Sequence, residues 1–194
     1  ASAGTADGFD LLGGSGGSIL RGLAIGGFNG HGVYVVSSGN TIAGNTIGFS
    51  TGNTGSGIVL NSGASNNTIG GTISADRNVI SVNAAHGVLI NASGTTGNLV
   101  RCNYIGVAAD GVTAWSNGLQ GVSIENGATG NFVGGTANGD GNVISGNTGN
   151  GITIAPGANG DSIINNLIGV DVSGNPVLPN TGQPISGTGT DNLI

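Results

Sequence analysis

One block of four residues, a glycine followed by apolar, any and apolar, recurs five times along the chain: GVYV at 32–35, GIVL at 57–60, GVLI at 87–90, GVSI at 121–124 and GITI at 151–154. Between the copies lie blocks of the form asparagine, any, apolar: NTI at 40, 45 and 67, NVI at 78 and 142, NLV at 98, NYI at 103, NFV at 131 and NLI at 166. Three short strands per repeat follow. None is long enough to bury a face alone, so the repeats must stack and bury their apolar residues against one another. At the ~4.8 Å spacing of paired strands, Val33, Ile58, Val88, Val122 and Ile152 form one interior ladder. The pattern predicts an all-β chain: a right-handed, single-stranded parallel β-helix of about six coils with three strands in each.

Coils alternate in two types, since GIVL to GVSI and GVLI to GITI are both displaced by 64 residues. One type carries a loop between its second and third strands, GGTISADRN at 70–78 and GGTANGDGN at 134–142. The other carries it after the third strand, at 108–120 and 171–183. Glycine before each first strand fits a corner that needs positive φ. Asparagine at the other corners tolerates the left-handed region, and its amide can bond to the same residue one coil on.

Forty-three glycines and few charges would describe a flexible chain if the apolar residues were scattered, but here they recur in register. Residues 1–194 therefore read as one solenoid domain, a mature product or an excerpt of something longer. Arg21, Arg77 and Arg101 are the only basic side chains besides two histidines, and the net charge is −6, so nucleic acid finds almost no counter-charge. No apolar run is long enough to span a bilayer. Cys102, the single cysteine, has no internal disulfide partner.

The stretches NTIGG (67–71), NVISVN (78–83), NFVGG (131–135), NVISGN (142–147) and LIGVDVSGNPVLPN (167–180) resemble the parallel β-helix repeat proteins of the pectate-lyase-like superfamily. The likeness is strongest to repetitive secreted bacterial surface proteins and covers nearly the whole chain. It implies an extracellular or cell-surface location. Relatives include lyases, hydrolases, epimerases and surface proteins without an assigned activity, so the fold follows more directly than the function.

The resemblance also implies what a polysaccharide lyase of this fold would carry: clustered carboxylates that hold calcium and a Lys or Arg that takes a proton. Asp76 and Asp140 share one register but lie two coils, roughly 10 Å, apart, and read as turn residues. Asp140, in the Gly/Asp-rich 134–142 loop, is the one weak candidate for calcium; otherwise no metal or cofactor is expected. Gly30-His31-Gly32 matches a segment of related hydrolases, yet His31 aligns with Ser56, His86, Gln120 and Asn150 as a polar corner. Trp115 aligns with Leu178 and reads as an apolar anchor for its loop. Cys102 falls at a corner occupied elsewhere by Gly44 and Asn165.

Outward positions are unusually apolar: Tyr34, Val59, Leu89, Ser123 and Thr153 on the first strands, and Thr41, Thr68, Leu99, Phe132 and Ser162 on the second. Such faces either pack against a partner or lie beneath loops. The chain starts in a first strand (FDLL, 9–12) and stops in a second (NLI, 192–194). Two functions follow. The first is an extracellular structural or adhesive module that associates with itself, head to tail, or with other surface proteins, and is not an enzyme. The alternative is a polysaccharide-active enzyme or carbohydrate-binding domain, with a groove between the 108–120 and 171–183 loops lined by Asp110, Trp115 and Asp171.

Overall fold

The computed structural model describes residues 5–194. Three parallel sheets run its length. Sheet A is built from Phe9–Leu11, Val33–Val35, Ile58–Leu60, Val88–Asn91, Val122–Glu125, Ile152–Ile154 and Ile185–Gly187. Sheet B takes Ile19–Arg21, Thr41–Ala43, Thr68–Gly70, Leu99–Arg101, Phe132–Gly134 and Ser162–Ile164. Sheet C takes Ala24–Ile25, Thr46–Ile47, Val79–Ile80, Tyr104–Ile105, Val143–Ile144 and Leu167–Ile168. The chain visits A, B and C in turn six times and begins a seventh coil, a right-handed parallel β-helix.

Val33, Ile58, Val88, Val122 and Ile152 are direct partners on successive sheet A strands, and each is 0% exposed. Their ladder faces Ile42, Ile69, Val100, Val133 and Ile163 of sheet B and Ile47, Ile80, Ile105 and Ile144 of sheet C in one continuous core. Strands of two to four residues persist because all but the first and last of each sheet are paired on both edges by the coils before and after them. The loops lie where the 64-residue period places them, including a single 3-10 turn at Ser74–Asp76.

The glycines before the sheet A strands differ from expectation. Gly32, Gly57, Gly87, Gly121 and Gly151 do not have positive φ. They are required because the coil closes on them: a Cβ on Gly87 would sit 2.5 Å from Ile105 Cγ2 and 2.6 Å from the Gly121 carbonyl oxygen. The side chain of a sheet C isoleucine fills the space where each Cβ would be. The left-handed region is used instead by the residues preceding the corner asparagines, among them Gly39 (φ 73°), Asn66 (54°), Gly97 (67°) and Gly130 (66°).

The corner asparagines are buried and form columns. One runs Asn40, Asn67, Asn98, Asn131, Asp161 and Asn192; the second runs Asn45, Asn78, Asn103, Asn142 and Asn166. In every step of these two columns except Asp161 to Asn192, one Oδ1 accepts both the backbone N–H and the Nδ2 of the previous coil, as Asn98 Oδ1 does from Asn67 at 3.0 Å each. A third column, Asn53, Asn83, Asn117, Asn147 and Asn180, occupies the corner between sheets C and A. A primary amide suits the position because its oxygen accepts from the preceding coil while its nitrogen donates once to the next coil and once to a carbonyl of the preceding one, as Asn98 does.

Asp161 breaks this chemistry. Its Oδ1 accepts from the Asn131 backbone N–H at 2.7 Å and from Asn131 Nδ2 at 3.2 Å, while its Oδ2, in the place of an amide nitrogen, is buried and unpartnered. The residue is 0% exposed, and burial pushes its carboxyl above the ordinary aspartate value.

Candidate functional site

The 108–120 and 171–183 loops fold over the outer face of sheet C. There Val79, Tyr104, Val143 and Leu167 point outward and make a second apolar cluster with Val107 and Leu178. The loops touch each other, the Val172 N–H donating to the Gly111 carbonyl at 3.1 Å. Equivalent bonds tie each to the wall: Val82 N–H to Trp115 O at 3.3 Å, and Gly146 N–H to Leu178 O at 3.0 Å. The Trp115 ring, half-buried, packs on Phe49 with centroids 5.4 Å apart.

Asp110 and Asp171 cap their own turns. Asp110 accepts from the Val112 and Thr113 N–H groups at 2.9 Å and from Thr113 Oγ1 at 2.6 Å. Asp171 accepts from the Ser173 and Asn175 N–H groups and from Asn175 Nδ2 at 2.8 Å. These bonds hold both carboxyls below the ordinary value: the Thr113 hydroxyl contributes most at Asp110, and the Asn175 side chain most at Asp171. The structure therefore places Asp110, Trp115 and Asp171 on loops that lie against the body and against each other. The hollows on this side are lined by Thr136, Asn138, Asn165 and Val172, and by Val170, Pro176, Pro179 and Pro184, without any of the three.

Asp76 and Asp140 each face an arginine. Asp76 Oδ1 lies 2.7 Å from Arg21 Nη2, and Asp140 Oδ1 3.7 Å from Arg101 Nη1. The other Asp140 oxygen accepts the Ala137 N–H at 3.1 Å. Among the described residues no three His, Cys, Asp or Glu side chains converge as a metal would require. Arg77 lies over the Tyr104 ring, 4.1 Å from its centroid, and donates to the Cys102 carbonyl. Cys102 is buried at a left-handed corner (φ 60°), matching Gly44 (66°) and Asn165 (57°).

Apart from Asp191, which lines a hollow with Ile154 and Ile185 at the last coil, the remaining acid–base side chains gather on the outer face of sheet A. Its middle row is Asp10, Tyr34, Val59, Leu89, Ser123, Thr153 and Ser186, aligned by strand pairing. One edge carries the polar corner His31, Ser56, His86, Gln120, Asn150 and Gln183. The other carries bonded amides: Asn61 Nδ2 donates to Tyr34 Oη at 3.0 Å, and Asn126 Nδ2 donates to Asn91 Oδ1 at 2.7 Å. Seven paired strands make this strip about 29 Å long at ~4.8 Å per strand.

Near its start, the His31 and Tyr34 rings stack 5.9 Å apart, His31 Nδ1 accepts the Ser56 N–H at 2.9 Å, and Asp7 accepts the His31 N–H. A hollow lined by Asp7, His31, Tyr34 and Thr54 opens here. The Asp10 carboxyl is raised by desolvation and then by the neighbouring Asp7 carboxylate. Two coils on, burial holds the His86 imidazole below its usual value, and the adjacent Gln120 Oε1 and His86 Nδ1 are both buried without a partner. Ser123 Oγ bonds Glu125 Oε1 at 2.5 Å. Sequence reasoning identified the polar corner and the outward row Tyr34, Val59, Leu89, Ser123 and Thr153, but read that row as apolar and did not join it to Asp7, Asp10 and Glu125; in the structure Val59 and Ser123 are buried.

No protein-family model and no curated protein matches the chain. Two solved structures are similar. A mutant of the periplasmic alginate epimerase AlgG superposes with a TM-score of 0.62 at 16% identity, over 96% of this chain and 46% of the other. The A-module of the Azotobacter vinelandii mannuronan C-5 epimerase AlgE6 gives 0.58 at 19% identity, over 97% of this chain and 55% of that one. The chain thus spans about half the length of these structures. Sheet order, coil number and these likenesses together make it a right-handed parallel β-helix of the pectate-lyase-like fold.

Proposed function

We propose that this β-helix is carbohydrate-active, an enzyme or binding domain for an extended polysaccharide that lies along the outer face of sheet A. The carrying observation is where the ionisable groups gather. Both histidines, Tyr34, Asp7, Asp10 and Glu125 lie along one strip, bonded mainly to one another and to their strip neighbours, whereas Asp76, Asp110, Asp140, Asp161 and Asp171 are bonded within the wall or their own loops and Asp191 stands apart at the last coil. The ~4.8 Å repeat of the strip is close to the length one pyranose adds to an extended glycan, so successive coils can meet successive sugars. Tyr34 and Leu89 offer apolar contact to sugar faces. Asp7, Asp10, His31 and Tyr34 form the place where a bound sugar would meet groups able to move a proton. The two similar structures are named as polysaccharide epimerases, which favours this reading over the structural, filament-forming role. A location outside the cytoplasm fits such a substrate.

Affinity electrophoresis through gels containing soluble polysaccharides, acidic and neutral, tests the reading. Retardation by at least one polymer, reduced in Tyr34→Ala and unchanged in Asp110→Ala, is expected. Unretarded migration through every polymer would refute it.

A further inference from the structure

Resting on the carbohydrate reading, we infer that the sheet A strip takes an uncharged glycan in preference to a polyuronate. A polyuronate presents one carboxylate per sugar, and a face that binds it needs fixed cations along its length, most effectively arginines that hold carboxylates by paired N–H bonds. This chain has three arginines and no lysine, and the structure shows where each one is used. Arg21 and Arg101 are on the strands of sheet B, paired with Asp76 and Asp140; Arg77 stands between sheets B and C, over Tyr104. None reaches sheet A.

The strip itself is lined by groups that repel or ignore a carboxylate. Asp7, Asp10 and Glu125 are its acids. Burial keeps the His86 imidazole neutral at pH 7, since it favours the uncharged form. The rest of its accessible lining is hydroxyl, amide and apolar, from the half-buried Tyr34, Leu89, Gln120 and Thr153, while Ser56, Val59 and Ser123 are buried beneath their neighbours. Such a surface suits sugar hydroxyls, which donate and accept in equal measure. The two similar structures, by name, act on alginate or mannuronan, whose residues carry carboxylates. This chain shares their fold, and its own strip carries acids and no arginine or lysine.

Matched polymers decide the point: polymannuronate against the same polymer after chemical reduction of its carboxyl groups, and polygalacturonate against its reduced form, in affinity gels at pH 7 and low salt. At least one reduced polymer is expected to bind at least tenfold more tightly than its acidic parent, and Leu89→Lys is expected to narrow that gap by strengthening binding of the acidic form alone. Equal or tighter binding of an acidic polymer by the unaltered chain overturns the inference while leaving the carbohydrate reading in place. Failure of every polymer in both series removes the carbohydrate reading, and the inference with it.

Discussion

Replacing Asp161 with asparagine should stabilise the fold, by an amount that grows with pH. In the other steps of its column the Nδ2 group donates to the next coil, and often to a carbonyl of the previous one, as Asn98 does to Asn131 Oδ1 at 2.9 Å and to Ala64 O at 3.0 Å. Asp161 Oδ2 stands in that place, and the neighbouring Asn192 Oδ1, which takes the Asp161 N–H at 2.8 Å, is an acceptor as well. Turning the Asn192 amide over would supply a donor to Oδ2 but orphan the Asp161 N–H. A carboxylate is therefore mismatched, whereas a protonated acid can donate once and an amide twice.

Two regained hydrogen bonds at about 0.5–1.5 kcal/mol each, together with relief of an unsatisfied buried oxygen, give about 2 kcal/mol at neutral pH. That corresponds to roughly 4–8 °C in Tm for a chain of this size. The sign with pH follows from the raised carboxyl of the folded state. Between the unfolded and folded values the native protein holds more protons than the unfolded one, so its stability falls as pH rises through that window and levels above it. The asparagine variant lacks this decline. Urea unfolding followed by circular dichroism, with both proteins measured from pH 3.5 to 8, gives the difference free of all other titrating groups. A difference that is absent at pH 8, or that does not change with pH, would refute the argument.

Gly87→Ala should cost about 1–3 kcal/mol by overpacking, because its Cβ would meet Ile105 and the Gly121 carbonyl; urea midpoints measure it. Val88→Asp places an unpaired charge in a fully buried ladder and should abolish folding, so a soluble, cooperatively unfolding variant would refute the coil register. Asp110 has a depressed carboxyl in the folded state, so its turn gains stability above the unfolded value and loses it as pH falls through the folded one. Trp115, the single tryptophan, lies on the same loop, and its emission should shift to the red in acid before the β signal of circular dichroism changes. Asp110→Asn should weaken that pH dependence.

The interior was legible in the sequence because stacking turns a one-dimensional period into direct contact: once GVYV, GIVL, GVLI, GVSI and GITI are aligned, their valines and isoleucines have to meet. The first two asparagine columns followed from the same alignment. The third was not read, although an asparagine stands four residues before each of four repeated glycines, at Asn53, Asn83, Asn117 and Asn147, because the apolar neighbours that flagged the other two are missing there. The reason for the glycines was not legible. A Cβ is excluded at Gly87 by a side chain 18 positions away and a carbonyl 34 away, and only the closed coil brings them there.

Function followed the same division. Local sequence identified Asp110, Trp115 and Asp171 as unusual residues on long loops, yet an aspartate that caps its own turn and one that faces a ligand have the same letters around them. Which side chains gather together is a property of the assembled wall: Arg21 meets Asp76 across 55 residues, Arg101 meets Asp140 across 39, and Asp10, Tyr34, His86 and Glu125 come to one strip from four different coils. The amino-acid sequence by itself determined the solenoid, because every coil repeats the same local instructions. The tertiary structure alone decided where the ionisable and polar side chains gather, because that depends on contacts between residues a full coil or more apart.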